Sequence, residues 1–595
     1  MTLPLDKTIR EKPGPPAERR LFLAALAAVL AVTVYIRQTV DPLARVTWSY
    51  QVLGLCLVLV VIAGRALLGR SEASKSDVRW PLAAIWIGLV LAAVLPYLAS
   101  LRAGLLSDDF GLVFAMSKVN GPLQAVQDTA YRGLFRPVSL LIYWAGVHLW
   151  HGSGLGYHAV SIALNVAAAL LVFALGRRWI GNTYAAAIAA ALFAVHPLHV
   201  EAVVWIPSHA DLLYTVFGLA SLLCLEGYLT APPPRRWFAL AGATLFFAAA
   251  LFGKEAAIAL PAIALLRLAL LPRKASRGQA LIVLLAYALP VLPYLRAYTA
   301  TVGATRGYQI PLTFWNTAFP SAPLIMMGDF LFPIQRQLLA QVPSPLWWLA
   351  LLAMAAGVFW LARSLDLIPA RRLWFWVGFL VISSIPVWVY SADSSSILES
   401  SRRAYFPTIA LAWLFGDVCA ARGLSLRRSG AVAAAAIILF GLLTPWYIQP
   451  WLRAGRLAQQ VLSAGVTFVQ DHPDASTLYV RGLPEMAYGA PVFRNCFPQA
   501  MNLALARTVP VRVVTDTHSP GSIHPDTMAR WVLRPGEFFI TWDPKTGRMQ
   551  VVRAGPQPSP DGGPAAGGPS SEREQPGLSR TPSPRGNDGH RQPSQ

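Results

Sequence analysis

Charge is scarce in this chain. Charged residues make up 13% of its 595 positions, about half the share of an ordinary soluble domain. Acidic residues are the scarcer sign, 29 against 50 basic ones. With 55% hydrophobic residues, this deficit excludes a solvated globular protein and points to a polytopic membrane protein. Cysteine is also rare: only Cys56, Cys224, Cys419 and Cys496 occur, with no CxxC spacing. That excludes a disulfide framework and a dithiol redox centre. The formal charge of +21 does not imply nucleic acid, because such a footprint gathers basic residues on one soluble face. Here they fall in short clusters between apolar runs, which is the pattern of membrane topology. No helical repeat array of fixed period is present.

What is present is a series of apolar runs. Runs of roughly 17 to 25 residues cross a bilayer, and they fall near 21–36, 50–66, 80–99, 157–175, 184–200, 211–229, 237–252, 256–272, 280–297, 346–362, 373–390, 404–420 and 430–448, about thirteen spans. The run 136–150 is amphipathic and opens on Arg136 and Pro137, which suits an interfacial helix; the proline-rich 311–345 is read the same way. The polar start 1–20 is followed by no small-residue cleavage site, so a retained first helix is expected rather than a signal peptide. Alternating from a cytoplasmic N-terminus puts the pairs Arg177–Arg178, Arg235–Arg236 and Arg371–Arg372 in inner loops, as the positive-inside rule requires.

Beyond about 450 the pattern changes. STLYVRGL, VRVVTDT, EFFITWD and MQVVR read as short strands, and NCFPQAMNLALAR between them reads as a helix. A small α/β domain over 451–553 is expected, on the extracytoplasmic side of the cell (inner) membrane on this topology. Residues 554–595 are rich in Pro, Gly and Ser, too poor in apolar groups to offset chain entropy, and are expected to be disordered.

The polar residues of the apolar part fall in the loops facing outward. Asp108 and Asp109 lie in the first, with Arg136 further on; His196, His199, Glu201 and Asp211 lie in HPLHVEAVVWIPSHADLL; Lys254 and Glu255 form GKE; and Glu399, Arg402, Arg403 and Tyr405 lie in ESSRRAYFP. Ionisable groups at membrane depth are expensive and normally face a protein interior or a water-filled cavity. Each has a structural reading: the aspartates as a turn or helix cap, Lys254 with Glu255 as a paired charge, the histidines as backbone hydrogen-bond partners at a helix end, and the arginines as snorkelling groups. HPLHVE offers His196, His199 and Glu201 to a metal without an independent further ligand, so no cofactor is assigned and a divalent metal is left open.

Taken in order, DD, YRGLFRP, GYHAVSIALNVAAALLVFALGRR, AAALFAVHPLHVEAVVWIPSHADLL, GKEAAIALP and ESSRRAYFP resemble the GT-C glycosyltransferases, in particular the transmembrane O-mannosyltransferases with tetratricopeptide repeats and their bacterial relatives. The resemblance covers roughly residues 80 to 420, with HPLHVEAVVW and GKE as its most specific parts. It implies an all-α membrane fold of GT-C type with a catalytic membrane domain over 80–450. The chain departs from the family in two extra helices over 21–79, which follow the cytoplasmic tail expected over 1–20, and in carrying the α/β domain where the family has its repeats. The resemblance also implies an inverting transfer of a sugar from a polyprenyl-phosphate carrier to a protein or glycan acceptor. Asp108, or Asp109 as fallback, would be the general base. Arg402 and Arg403 would hold the donor phosphate, with Arg136 and Lys254 behind them. Glu399, Glu255, Glu201, His196, His199, Asp211 and Tyr405 would support them. A transporter or flippase would use intramembrane charges equally well, but no second copy of any motif appears, as inverted repeats would require. An assembly protein without catalysis would leave Asp108 and Asp109 unexplained.

The topology is tested with terminal reporters in the cell membrane. The N-terminus is expected to be cytoplasmic and residues after 450 external, and a C-terminal reporter active only in the cytoplasm would overturn the assignment.

Overall fold

The computed structural model describes residues 82–127, 135–271, 276–304, 321–331, 333, 368–387, 400–421, 426–505, 508–516 and 522–556. The expected spans at 21–36, 50–66 and 346–362, most of 311–345, Glu399 and the tail from 557 lie outside these residues.

Seven of the described helices are long and apolar enough to cross a membrane: Leu82–Arg102, Gly154–Trp179, Ile206–Thr230, Arg235–Gly253, Arg277–Ala300, Ala370–Val387 and Ser429–Asp471. An eighth is formed if Thr183–Val195 and Pro197–Val204, bent by 51°, count as one span. The chain is a multi-pass membrane protein. Helices follow from the apolar runs because a backbone surrounded by lipid must satisfy its hydrogen bonds within its own segment. Two stretches expected to span are shorter than that. Residues 256–272 and 404–420 are α-helical only over Leu260–Leu270 and Ile409–Cys419, each 11 residues and about 16 Å long, against a hydrocarbon core of about 30 Å. Each is preceded by a 3-10 turn, Glu255–Ala259 and Ser401–Ala404, that holds the polar motif.

Small residues set how closely the helices approach. Ala185, Ala186, Ala189 and Ala190 are fully buried along Thr183–Val195, and a Cβ on Gly416 would lie 2.2 Å from the Ala185 carbonyl oxygen. The Ile409–Cys419 helix therefore packs almost backbone to backbone against that element. Ion pairs brace the end of the bundle away from the polar loops. Arg267 holds Glu226, to which the Trp179 indole also donates at 2.7 Å. Arg372 holds Asp417 at 2.7 Å, and the Trp376 indole donates to the same carboxylate.

The last membrane helix does not stop at 450, where a new domain was expected. It runs unbroken from Leu426 to Asp471, 46 residues or about 69 Å, well beyond one bilayer. Trp451, Ala454, Ala458, Val461, Leu462 and Phe468 are buried along its distal half, the spacing of an amphipathic helix whose exposed arginines and glutamines disguise it. A four-stranded sheet follows, in the order β4-β1-β5-β6: β1 Thr477–Arg481, β4 Val511–Val513, β5 Glu537–Asp543 and β6 Arg548–Ala554. β1 runs parallel to β4 and β5, whereas β6 is antiparallel to β5. β2 Met486–Ala487 and β3 Ala490–Pro491 form a small hairpin. Alternation along the strands sends Leu478, Val480, Phe538 and Ile540 into a core shared with Phe468 and Phe497, and Tyr479 and Phe539 into a second one with Met528.

Gly455 carries the long helix past the start of the first polar loop, where an added Cβ would sit 1.8 Å from the Ala103 carbonyl oxygen. Gly455→Ala is expected to destabilise by about 1–3 kcal/mol, seen as a lower unfolding temperature in detergent. Gly441→Ala, whose Cβ would meet Val195 only at 4.0 Å, should be tolerated.

Candidate functional site

Prolines break the helical segment that carries the middle of the polar site. Pro197 and Pro207 open the 3-10 turns Pro197–His199 and Ile206–Ser208, and the freed backbone groups need partners in an apolar surrounding. The histidines supply them. His196 Nδ1 accepts from the Leu198 N–H at 3.2 Å and its Nε2 donates to the Phe330 carbonyl at 2.9 Å, with the ring stacked on Phe330. His199 Nδ1 donates to the Phe193 carbonyl at 2.9 Å, and its Nε2 lies 2.9 Å from the Thr408 hydroxyl. His209 Nε2 reaches the Tyr157 carbonyl and the Ser161 hydroxyl. All three are fully buried. Among the described residues, no three His, Cys, Asp or Glu side chains are arranged to hold a metal ion.

The same breaks point charged side chains toward one another across the bundle. Glu201, on the short helix Val200–Val204, accepts from the Arg402 guanidinium and, at 2.8 Å, from the Arg402 backbone N–H. The guanidinium carbon lies 4.5 Å from the centre of the Trp205 ring, a cation–π contact on its face. Arg136, the residue before the helix Pro137–Trp150, forks onto Glu255, with Nε 2.9 Å from Oε2 and Nη2 on Oε1. Lys254 pairs with Asp211, the two side chains only 7% and 3% exposed.

Between these pairs lies a cavity of about 160 Å³ lined by Asp108, Arg136, Ser139, Tyr143, Trp205, Asp211 and Arg402 among others. It gathers residues from four of the sequence motifs. The expected cluster is divided by it. Asp108, Arg136, Asp211 and Arg402 face the cavity; Arg403 is half-buried and does not line it. Lys254 stands behind Asp211 rather than at the surface, and Tyr405 is buried, its hydroxyl donating to Asn165 Oδ1 at 2.7 Å. The two adjacent aspartates are separated too. Asp108 opens the helix Asp108–Ser117 and faces the cavity, whereas Asp109 turns inward, 1% exposed, its Oδ2 accepting the Leu106 N–H at 2.7 Å. Asp109 Oδ1 is buried without a hydrogen-bond partner. Burial raises the Asp109 carboxyl well above the usual carboxylate range against the Leu106 hydrogen bond, and Asp108 beside it adds to the rise. That favours a neutral group there. Trp205 and Asn495 were not singled out from the sequence. Trp205 sits within the HPLHVEAVVW motif, where an aromatic beside a carboxylate was a readable signal. Asn495 contacts Asp108 from 387 positions away, and no local pattern signals that.

No family model matches the chain. Over 153 residues it is 34% identical to a protein O-mannosyl-transferase of Caenorhabditis elegans, covering 23% of this chain and 22% of the relative. Over 185 residues it is 36% identical to the protein O-mannosyl-transferase Tmtc2 of Drosophila melanogaster, covering 28% and 20%. The chain resembles the protein O-mannosyl-transferases. It spans about a fifth of the length of the curated relatives it matches. Among solved structures it is similar to the archaeal oligosaccharyltransferase AglB from Archaeoglobus fulgidus, with a TM-score of 0.38 at 12% identity over 72% of this chain and 63% of that one. It is also similar to ArnT from Cupriavidus metallidurans bound to undecaprenyl phosphate, with a TM-score of 0.34 at 15% identity over 78% and 93%.

The Lys254–Asp211 pair gives a stability test. Lys254→Met leaves a buried carboxylate uncompensated and is expected to cost about 3–5 kcal/mol, lowering the unfolding temperature in detergent. Adding Asp211→Leu should recover much of the loss, because the orphaned charge is removed.

Proposed function

We propose that the chain is a membrane glycosyltransferase that moves a hexose from a polyprenyl-phosphate carrier to a hydroxyl of a protein or glycan acceptor, with inversion, on the extracytoplasmic face of the cell membrane. One observation carries the reading: a single cavity is lined by the carboxylate of Asp108 and by the guanidinium groups of Arg402 and Arg136, in a bundle of apolar helices. The sequence similarity to protein O-mannosyl-transferases supports it over part of the chain.

The chemistry asks for these groups. An acceptor hydroxyl is a weak nucleophile, and Asp108 takes its proton as the oxygen bonds to the anomeric carbon. The bond from that carbon to the phosphate oxygen breaks on the opposite side, and its electron pair leaves with the polyprenyl phosphate. The growing phosphate charge is met by Arg402 and Arg136, whose planar forks suit phosphate oxygens. Each arginine is already held by a carboxylate, Glu201 and Glu255, so neither reorganises as charge develops. Arg402 is further fixed by Trp205. Asp109, being buried, stabilises the loop behind the base, and His196 and His199 hold the broken helix that presents Glu201. A donor with a prenyl tail stays in the bilayer throughout, which is why a site for it is built at the end of membrane helices.

Transfer from a synthetic polyprenyl-phosphate sugar by the purified protein tests the roles separately. Asp108→Asn should lower kcat by about a hundred-fold or more with donor KM little changed. Arg402→Lys should raise donor KM by about ten-fold, since an ammonium lacks the fork. Full activity in Asp108→Asn would overturn the reading.

A further inference from the structure

We propose that Asn495, in the C-terminal α/β region, is a positioning residue for Asp108, which makes that region a working part of the transfer site. The inference rests on Asp108 being the general base. Asn495 Nδ2 donates a 3.0 Å hydrogen bond to Asp108 Oδ1. Two further contacts anchor the same segment to the same helix. The Ser107 N–H donates to the Val492 carbonyl at 2.9 Å, and Phe493 stacks on Phe110 with ring centres 5.7 Å apart. Phe493 also meets Phe497 edge-on at 4.9 Å, and all three rings are buried. Asn495 is therefore presented from a packed apolar base.

The backbone on both sides is held in an unusual state. Ser107, just before Asp108, has φ +46°, and Cys496, just after Asn495, has φ +68°. Neither is glycine, and such conformations persist where the surrounding structure over-determines them. Here each segment is held by the other. The choice of an amide is also informative. A base must aim a lone pair along the bond it deprotonates, and a displacement of about 1 Å can cost about a hundred-fold in rate. A lysine or arginine at this position would also orient Asp108, but it would pair with its charge and compete with the acceptor proton. A neutral amide fixes the carboxylate without pairing with it.

The test uses the full-length protein in detergent, with the polyprenyl-phosphate sugar as donor and Asp108→Asn measured beside each variant. Asn495→Ala is expected to lower kcat by roughly ten- to a hundred-fold with donor KM and unfolding temperature little changed. Asn495→Asp, of the same size but without the donor, should lose more. In the Asp108→Asn background, Asn495→Ala should add nothing, since its effect passes through the missing carboxylate. Wild-type kcat in both single variants, with Asp108→Asn inactive, would overturn the positioning role and leave the transferase reading standing. A loss that persists undiminished in the Asp108→Asn background, or that follows the unfolding temperature, would overturn it in favour of a folding contact. If Asn495→Ala does not fold, Asn495→Asp and its double variant decide by the same criteria. Full activity in Asp108→Asn itself would instead remove the transferase reading.

Discussion

A cation kept at membrane depth needs a carboxylate beside it, because the unpaired charge costs several kcal/mol or more in an apolar surrounding. The site end of this protein is arranged around that constraint. Glu201 with Arg402, Glu255 with Arg136, and Asp211 with Lys254 each join groups from different elements of the bundle. Each pair therefore fixes a distance between elements as well as neutralising a charge. Because two of the three cations line the cavity and the third stands behind it, the pairs set the cavity's shape.

Those charges reach one another only because the helices that carry them are broken. Pro197 and Pro207 interrupt an apolar segment that would otherwise continue, and 3-10 turns take the place of regular helix there. A break inside a membrane domain leaves backbone groups without partners. His196 and His199 meet that need with both ring nitrogens engaged. Read as a motif, HPLHVE offers a metal ligand set; in the folded protein the imidazoles are occupied in holding the turn that aims Glu201 at Arg402. Structure and chemistry are joined there through one short segment.

The membrane part and the α/β region are linked by the length of one helix. Leu426–Asp471 rises through the bundle, passes Ala103 at Gly455, and carries the sheet to a position where Val492, Phe493 and Asn495 pack on the helix of Asp108. A shorter helix would leave the sheet elsewhere. The α/β region therefore touches the first polar loop directly.

Periodicity and composition determined the membrane class, most of the described spans and the four principal strands, because burial in lipid or in a sheet leaves a local signature in every residue of the run. The motifs also marked which loops carry ionisable groups into the bundle, but not which of those groups meet. Composition did not determine where the last helix ends, because its distal half buries one stripe and exposes arginine and glutamine on the other. Nor could adjacency distinguish Asp108 from Asp109. The turn at Ser107 sends one carboxylate to the cavity and the other inward, a difference of side-chain direction that spacing does not encode. The partner of Lys254 was decided in the same way: beside Glu255 in sequence, it pairs with Asp211 across the bundle, while Glu255 turns to Arg136. Tertiary structure alone settled these assignments, because which of several nearby opposite charges becomes a partner depends on the angles at which broken helices cross.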